Sequence, residues 1–343
     1  MNGKLVDLDI GSATIKVASL KRDGDVVSIE AIGAAPAPSK GMISDSITDI
    51  ETIANSIKEL FTASNIKSKQ VALCLAESQV YTKIIEMPQL SAQELSAALR
   101  FEMEQYIPLP IENVRTDWQI LSQEDTAGKK SMNVMIVAAP NTLLEKYQKV
   151  MDLAGISAES IETEIVAVHR GLLPLVSSQF SNMILHMGAS STTIAIVKDG
   201  VLKMVLSTPA GGIALTRSIS IELGIDVTQA ENYKKAYGFS QNAFEGKIGK
   251  VLLPAMEVII QDVKKAALAY REKHNNETIK QIILSGASAL IPGVDVVLTN
   301  ALSTQVVLGS SFAAYNIPNV PSELQVETPA YNTVMGLALR GLT

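Results

Sequence analysis

The hydrophobic pattern near the N-terminus predicts three short strands joined by tight turns, and the same pattern returns in the middle of the chain. In each copy an apolar strand leads through a turn of small residues into a second strand, and an Asp-Gly turn leads into a third. The predicted strands are Leu5–Ile10, Ile15–Leu20 and Val26–Ile32 in the first copy, and Met183–Met187, Thr193–Val197 and Val201–Thr208 in the second. This recurrence predicts two lobes built on one plan, with two unrelated hairpins as the alternative.

Between the two copies, several segments have the pattern of helices or strands. Apolar residues at a helical spacing predict a helix over Thr48–Ala63. Ser91 and Glu94 form a capping box, which predicts a helix that ends near Tyr106, before two prolines. The segments predicted next are the strands Val114–Leu121 and Met132–Ala138, an exposed polar loop over Ser122–Lys130, a helix from Pro140 to Ala154 and a strand over Ser157–Glu162.

After the second copy the pattern predicts mainly helices. They are expected at Ile213–Leu223 and Thr228–Tyr237. A long amphipathic helix from about Phe244 to Lys273 should be broken near Pro254, because proline removes a helix hydrogen bond. The short strand Gln281–Leu284 then leads into a turn of small residues.

This succession of elements predicts an α/β protein with three parts. A chain of 343 residues is long enough for two or more domains. We expect residues 1–85 and 161–182 to form the first lobe, residues 86–160 to form an inserted α/β subdomain, and residues 183–343 to form the second lobe.

Composition and charge exclude several kinds of function. Apolar residues make up 47% of the chain and charged residues 19%, which supports large cores and argues against disorder. The 29 basic and 35 acidic residues give a net charge of −6 without a basic block, so nucleic acid is not expected as a partner. The single cysteine, Cys74, lies in an apolar run, and three scattered histidines do not indicate a zinc site.

No segment has the pattern of a membrane span or a signal peptide. Asp7 and Asp9 interrupt the only early apolar segment. The longest charge-free stretch, Gly171–Val197, carries proline, glutamine, asparagine and several serines, whereas a spanning helix needs about 20 predominantly apolar residues. We therefore expect no direct membrane insertion and any membrane association to depend on a partner.

The turn after the first strand has the residues of a phosphate-binding loop. Small residues at Gly11 and Ser12 let backbone N–H groups approach a phosphate, and the hydroxyls of Ser12 and Thr14 add donors. Lys16, on the next strand, supplies a positive charge. Asp9 ends the first strand, where a carboxylate can hold the water shell of Mg²⁺. Taken alone, the pattern also fits a simple β-turn with a solvated aspartate.

Two further turns of small residues complete the candidate site. The turn Gly188–Thr192 belongs to the second copy and should face the first turn across a cleft between the lobes. The turn Ser285–Ser288 lies between a strand and a helix, where small residues let a flat base lie close to the backbone. Each fits an ordinary turn by itself, but the three in this order predict a bound nucleotide.

Three segments resemble the nucleotide motifs of the actin and sugar-kinase superfamily. DIGSATIK resembles the first phosphate motif, HMGASSTT stands in the place of the second, and ILSGASALIPG resembles the adenosine motif. Within that superfamily the chain resembles the PilM family of type IV pilus assembly proteins, through KIIEMPQLSAQEL, RFEMEQYIPLPIENVRTDW, AENYK and GLALR. The resemblance implies an actin-like two-lobed fold of duplicated ribonuclease-H-like subdomains, with an inserted subdomain like that of FtsA.

The resemblance also implies that ATP and Mg²⁺ bind between the lobes. The positions that match the family's nucleotide-binding residues are Asp9, Gly11, Ser12, Thr14, Lys16, Gly188, Ser190, Ser191, Gly211, Gly212, Glu231, Lys234, Gly286 and Ser288. Asp9 matches the metal position, and Glu164 matches a residue that positions an attacking water. From the residues alone, Gly211 and Gly212 also fit a turn before a helix, and Glu231 with Lys234 also fits a surface pair.

Two residues depart from the family pattern. The second phosphate motif normally opens with an acidic residue, and here that position is His186, which does not hold hydrated Mg²⁺ as a carboxylate does. The adenosine motif normally has a second glycine, and the methyl group of Ala287 at that position can crowd the purine. We therefore expect ATP binding with weak or absent hydrolysis.

The resemblance implies a cytoplasmic scaffold that reaches the inner face of the cytoplasmic membrane through a partner. The implied partner is the cytoplasmic N-terminal peptide of PilN, in a groove between the first lobe and the inserted subdomain near Pro88–Glu94 and Tyr106–Pro110. Other pilus platform proteins and a homo-oligomer are further expectations. Two alternatives are a small-molecule kinase, for which no catalytic aspartate is evident, and an FtsA-like division protein, for which we expect a C-terminal amphipathic membrane helix.

Overall fold

Strands and helices alternate along the part of the chain that the computed structural model describes, which is residues 5–38, 42, 44, 46–126, 129–241 and 244–342. The strands are β1 (Val6–Ile10), β2 (Thr14–Asp23), β3 (Val26–Pro36), β4 (Gln70–Leu75), β5 (Tyr81–Pro88), β6 (Val114–Thr126), β7 (Lys129–Pro140), β8 (Ser157–Thr163), β9 (Ser181–Met187), β10 (Thr192–Lys198), β11 (Val201–Thr208), β12 (Ile279–Ser285) and β13 (Gln305–Leu308). The helices are α1 (Ile47–Ala63), α2 (Ala92–Tyr106), α3 (Asn141–Ala154), α4 (Glu164–Leu172), α5 (Gly212–Leu223), α6 (Val227–Tyr237), α7 (Lys247–Lys273), α8 (Val294–Leu302), α9 (Ser311–Ala314) and α10 (Asn332–Ala338).

Two five-stranded sheets have the same topology. The first has the order β3-β2-β1-β4-β8 and the second the order β11-β10-β9-β12-β13. In each, an antiparallel meander of three strands continues into two parallel strands. The α/β fold class and the duplicated plan predicted from the repeated strand pattern are therefore confirmed.

The third sheet, in the order β5-β7-β6, carries α2 on one face. The side chain of Ser91 accepts a hydrogen bond from the backbone N–H of Glu94, and the Glu94 carboxylate accepts from the backbone N–H of Ser91. This confirms the capping box. Leu95 and Leu99 on α2 are buried against Val134 and Ile136 of β7.

The polar loop predicted over Ser122–Lys130 is wrong for the described residues of that segment. β6 and β7 continue to pair through Glu124 with Ser131 and Asp125 with Lys130, and residues 127–128 lie outside the described residues. The strands extend past the apolar core there, so pairing rests on backbone hydrogen bonds. Polar side chains give no hydrophobic alternation from which such a ladder can be recognised.

The three-stranded sheet spans Tyr81–Pro140, which differs at both ends from the range 86–160 expected for an inserted subdomain. β8 pairs with β4 in the first five-stranded sheet. On α3, Tyr147 and Met151 are buried in the same core as Ile53 and Ile57 of α1. The segment after Pro140 therefore packs with the first sheet.

The second sheet is covered by α5, α6, α7 and α8. The predicted break near Pro254 is wrong, because α7 runs through it from Lys247 to Lys273. Leu252 and Met256, on either side of the proline, are both buried in the core of this lobe. Their packing offsets the one helix hydrogen bond that proline removes.

Helices α4 and α10 cross between the two large sheets. On α4, Ile165 and Val168 pack against Ile184 of the second sheet. On α10, Val334 and Met335 pack against β2 of the first sheet. The C-terminal helix, expected with the second lobe, therefore lies against the first sheet, and the two lobes share a helical crossing.

Candidate functional site

The turns that end β1 and β9 meet each other. The hydroxyl oxygens of Ser12 and Ser190 are 2.8 Å apart and form a hydrogen bond. Each turn closes in the same way: the N–H of Gly11 donates to the Thr14 carbonyl at 3.1 Å, and the N–H of Gly188 donates to the Ser191 carbonyl at 2.9 Å. The duplicated hairpins thus present their turns to one shared space between the lobes.

Both turns depend on glycine for a close approach of backbone to backbone. A Cβ at Gly11 would lie 2.8 Å from the Thr14 carbonyl oxygen, and one at Gly188 would lie 3.0 Å from the Ser191 carbonyl oxygen. The contact at Gly11 is too short for a side-chain carbon, and the contact at Gly188 is tight enough that the Ser191 carbonyl would have to shift by a few tenths of an ångström.

The first turn is backed by a buried charged pair. The Lys16 ammonium lies 3.7 Å from the Asp9 carboxylate and donates to the Thr14 hydroxyl at 2.8 Å. The Cys74 thiol lies 3.5 Å from the other Asp9 oxygen. Burial raises the pKa of Asp9 above its ordinary value, and the positive charge of Lys16 opposes that shift.

The second turn is fixed to the start of α5. The N–H of Gly212 donates to the Gly188 carbonyl at 3.0 Å. A Cβ at Gly211 would lie 2.8 Å from three backbone atoms of the turn, including the Ser191 nitrogen. The N–H of Ile213 likewise donates to the Ala189 carbonyl at 2.8 Å, so the first N–H groups of this helix are engaged with the turn. The positive end of the helix dipole therefore lies behind the turn, where it favours anions.

Glu231 and Lys234 lie on α6 and point toward the same helix start. The buried Lys234 ammonium donates to the Gly212 carbonyl at 3.0 Å and the Thr216 hydroxyl at 2.9 Å, and it contacts the Glu231 carboxylate at 2.6 Å. Burial lowers the pKa of Lys234, while Glu231 opposes that shift. The pair is therefore not a surface pair, and the lysine holds α5 to α6.

The third predicted turn packs against the second. The Ser288 hydroxyl donates to the Gly188 carbonyl at 2.9 Å. Gly286 has φ +87°, and a Cβ there would collide with the Met187 carbonyl oxygen. The Ala287 methyl group is exposed. All fourteen predicted nucleotide positions therefore lie in or directly behind the three turns, at the start of α5, or at the positions of α6 that contact that start.

Glu164 and His186 form a buried pair below the turns. His186 Nε2 lies 3.1 Å from a Glu164 carboxylate oxygen, and its Nδ1 lies 2.9 Å from the Ser285 hydroxyl. Burial acts to raise the pKa of Glu164, but His186 and a hydrogen bond from the backbone N–H of Glu77 hold it below its ordinary value. The Asn332 amide donates to Ser285 at 3.0 Å and extends the chain of hydrogen bonds to α10.

Sequence reasoning missed Glu77, a buried carboxylate in the short turn Glu77–Gln79 after β4. Among the described residues, neither oxygen has a hydrogen bond of good geometry, although the hydroxyls of Thr82 and Thr163 and the N–H of Ile165 lie near enough to lower its pKa. Burial raises the pKa of Glu77 to about 7; Thr82 opposes that shift and Glu164 adds to it. A glutamate in the polar run AESQ gives no sequence signal of burial.

Two cavities open on either side of this turn. One, of about 790 Å³, lies in front of the two phosphate-type turns and is lined in part by Ser12, Ser190 and Lys146. The other is a groove of about 500 Å³ between α2, β5 and β11, with Tyr106 and Ile107 in its wall. Ser78 and Pro209 line both cavities.

The residues fit a nucleotide better than they fit a magnesium ion. Glycines at which a Cβ would be crowded and the serine hydroxyls of the two turns form a cradle suited to phosphates. Within the described part of the chain, no three His, Cys, Asp or Glu side chains are grouped to hold a metal. At the expected metal position, the Asp9 carboxylate already has the Lys16 ammonium beside it.

A family model for the type IV pilus assembly protein PilM matches residues 7–342, nearly the whole chain. The chain belongs to the PilM family. This confirms the resemblance found through DIGSATIK, EQYIPLP and the closing GLALR. Among curated proteins, cell division protein FtsA of Streptococcus pneumoniae serotype 2 is 26% identical over 376 residues, covering 98% of this chain and 79% of FtsA. FtsA of Bacillus subtilis is 24% identical, covering 98% of this chain and 83% of FtsA.

Solved structures of PilM and of actin-like proteins share the fold. A PilM–PilN type IV pilus biogenesis complex has a chain that is 22% identical, with a TM-score of 0.86 and 99% of each chain covered. MreB5 of Spiroplasma citri, bound to AMPPNP, is 14% identical, with a TM-score of 0.53 and coverage of 98% of this chain and 95% of MreB5. The actin-like fold expected from the sequence is confirmed. Among the helices described, none combines the length and apolarity needed to cross a bilayer.

Proposed function

We propose that this member of the PilM family is an ATP-binding scaffold of the type IV pilus assembly platform, with weak or absent hydrolysis. The observation that carries the proposal is the hydrogen bond between Ser12 and Ser190. It brings two glycine-containing turns, one from each lobe, to the same cavity. A triphosphate between them would contact both lobes and so hold them in one relative position.

The roles of the residues follow from their positions. Backbone N–H groups and hydroxyls of the turns at Gly11–Thr14 and Gly188–Ser191 would bind the phosphates, with Lys16 as the cation. The start of α5 at Gly211 and Gly212 would contribute the positive end of its helix dipole. Glu231, Lys234, Gly286 and Ser288 would border the adenosine. The MreB5 structure with bound AMPPNP, of the same fold, supports a nucleotide in this cleft.

Weak hydrolysis is supported by the state of Glu164, the residue expected to position an attacking water. Its carboxylate already accepts hydrogen bonds from His186 and from the backbone N–H of Glu77. A carboxylate held in this way is poorly placed to take a proton from water. ATP would then act as a structural ligand that stabilises the closed form, by about 2.7 kcal/mol at a hundredfold excess over Kd.

The groove of about 500 Å³ is our candidate site for the cytoplasmic N-terminal peptide of PilN. The PilM–PilN complex with the same fold supports PilN as the partner. Of the two segments expected at this groove, Tyr106 and Ile107 line it, whereas Leu90 packs into the core of the inserted subdomain. The opposite wall comes from Val205 and Leu206 of the second lobe, so the groove extends beyond the first lobe and the inserted subdomain.

Binding of PilN would place this protein at the cytoplasmic face of the inner membrane through its partner. Other platform proteins and a second copy of this chain are further proposed partners. The match to FtsA reflects the shared superfamily, and the match of the PilM family model over residues 7–342 favours pilus assembly over cell division.

The nucleotide site is tested by ATP titration calorimetry on the wild type and two lysine variants. Lys16→Met removes the phosphate-side cation and should weaken ATP binding by roughly 10- to 100-fold, because a charged hydrogen bond contributes about 1.5–3 kcal/mol. Lys21→Met, at an exposed position on the same strand, is the matched control. Equal ATP affinity of both variants would place the phosphates elsewhere.

A further inference from the structure

We propose that ATP binds in this site without magnesium, its phosphate charge being offset by Lys16 and by backbone and hydroxyl donors of the protein. The proposal rests on the nucleotide site proposed above and concerns the side chains that a metal would need. Mg²⁺ is bound through carboxylates and phosphates and keeps several waters in an octahedral shell. Both hairpins would have to leave oxygen acceptors free for those waters.

On the first hairpin, the candidate acceptor is not free. One Asp9 oxygen faces the Lys16 ammonium at 3.7 Å, and the other faces the Cys74 thiol at 3.5 Å. The Asp9 side chain is 9% exposed. A cation of the protein therefore already stands where Asp9 would attract a hydrated metal, and that same cation is positioned beside the Thr14 hydroxyl of the turn.

On the second hairpin, His186 has no acceptor left for a metal-bound water. The Asn332 carbonyl oxygen accepts from the backbone N–H of Ser311, so the Asn332 amide nitrogen faces Ser285 and donates to its hydroxyl oxygen. The Ser285 hydroxyl can then donate to His186 Nδ1, and the Nε2–H of His186 donates to Glu164.

Glu164 is a poor replacement for the missing carboxylate, because two hydrogen-bond donors of the protein already engage it. It accepts from His186 Nε2 at 3.1 Å and from the backbone N–H of Glu77. The charges of Glu164 and His186 both act on the pKa of Asp9. A metal beside Asp9 would meet the Lys16 ammonium, and one beside His186 would meet a ring N–H; both are donors and not ligands.

The donors needed for a metal-free phosphate chain are present nearby. The hydroxyls of Ser12, Ser190 and Ser191 line the cavity in front of the turns. Hydrogen bonds from N–H and O–H groups to charged phosphate oxygens are roughly twice as strong as those between neutral groups. Together with Lys16 and the start of α5, they offset phosphate charge at the place where the resemblance would put a metal.

The test is ATP titration calorimetry on the full chain. The titration is done once in about 5–10 mM magnesium chloride and once in excess EDTA, at the same ionic strength. For the wild type, we expect the two dissociation constants to agree within about threefold. For His186→Asp, which supplies a carboxylate at this position, we expect binding at least about tenfold tighter with magnesium than with EDTA. His186→Asn is the matched control, since it removes the imidazole without adding a carboxylate.

A loss of wild-type affinity of tenfold or more in EDTA would overturn the proposal. If magnesium changes the ATP affinity of neither the wild type nor a His186→Asp variant shown to be folded by thermal unfolding, the role assigned to His186 is wrong. Failure of the wild type to bind ATP in either buffer would instead refute the proposed nucleotide function itself, so the two failures are distinguishable.

Discussion

Gly336 of α10 lies directly against the backbone of Ala167 of α4, so closely that a Cβ at position 336 would overlap the Ala167 carbonyl oxygen. The Arg170 guanidinium reinforces this crossing, since it donates to the Gly336 carbonyl at 2.7 Å and forms a bidentate pair with Glu162. Because α4 packs on the second sheet and α10 on the first, this contact holds the two lobes together beneath the cleft.

Gly336→Ala should therefore destabilise the protein by about 3 kcal/mol, because the extra methyl group meets backbone that cannot rotate away. Gly155→Ala is the control, because a Cβ at Gly155 would have no atom within 4 Å. Its expected loss of stability, about 1 kcal/mol, comes only from placing a side chain on left-handed backbone. Urea unfolding monitored by circular dichroism measures both. Equal costs at the two positions would show that the α4–α10 crossing is loose.

Glu77 predicts a specific pH dependence of stability. Its pKa in the folded protein is about 7, against 4.5 as the ordinary value, so folding favours the protonated form. Its contribution to stability is therefore present below about pH 4.5 and is lost as pH rises through 7. Glu77→Gln should raise stability by about 3 kcal/mol at pH 8 and by little at pH 4.5.

The measurement is the free energy of unfolding of wild type and Glu77→Gln across that pH range. Glu86→Gln, which removes a carboxylate from an exposed position on β5, is the control for the loss of one negative charge. A gain for Glu77→Gln that is the same at pH 5 and pH 8 would mean that the carboxylate is not buried as described.

The turn Glu77–Gln79 predicts that the groove and the nucleotide site affect each other. Ser78 lines both cavities, and its hydroxyl accepts from Ser191 of the second phosphate-type turn at 3.4 Å. We expect ATP to tighten binding of the N-terminal PilN peptide by about fivefold or more, and the peptide to tighten ATP binding by the same factor.

Ser78→Ala should reduce that coupling, whereas Ser56→Ala, which removes the hydroxyl of a half-buried serine on α1, should leave it unchanged. Fluorescence anisotropy of a labelled PilN peptide, with and without saturating ATP, gives the factor directly. If the wild type binds the peptide with the same affinity with and without ATP, the two sites are not linked through this turn.

The elements set by local sequence were predictable, and those set by contacts between distant segments were not. The capping box of Ser91 and Glu94 and the two glycine turns follow from residues a few positions apart. The paired strands beyond Leu121 were missed because their stability comes from partner strands and not from an apolar face.

The same distinction holds for the candidate site. Small residues beside strand ends were sufficient to indicate the three turns, since few side chains permit such backbone approach. Neither the burial of Glu77 nor the engagement of both His186 nitrogens was predictable. Each depends on residues brought from other elements, such as Thr82 for Glu77 and Ser285 for His186.

The central claim is that the turns at Gly11–Thr14 and Gly188–Thr192 act together on one triphosphate. Hydrogen–deuterium exchange with and without ATP tests it most directly, because the N–H groups that are not engaged within each turn would become hydrogen-bonded to phosphate oxygens. We predict that both turns gain protection over the same range of ATP concentration. Protection of one turn alone, or of neither while ATP is bound, would contradict the account.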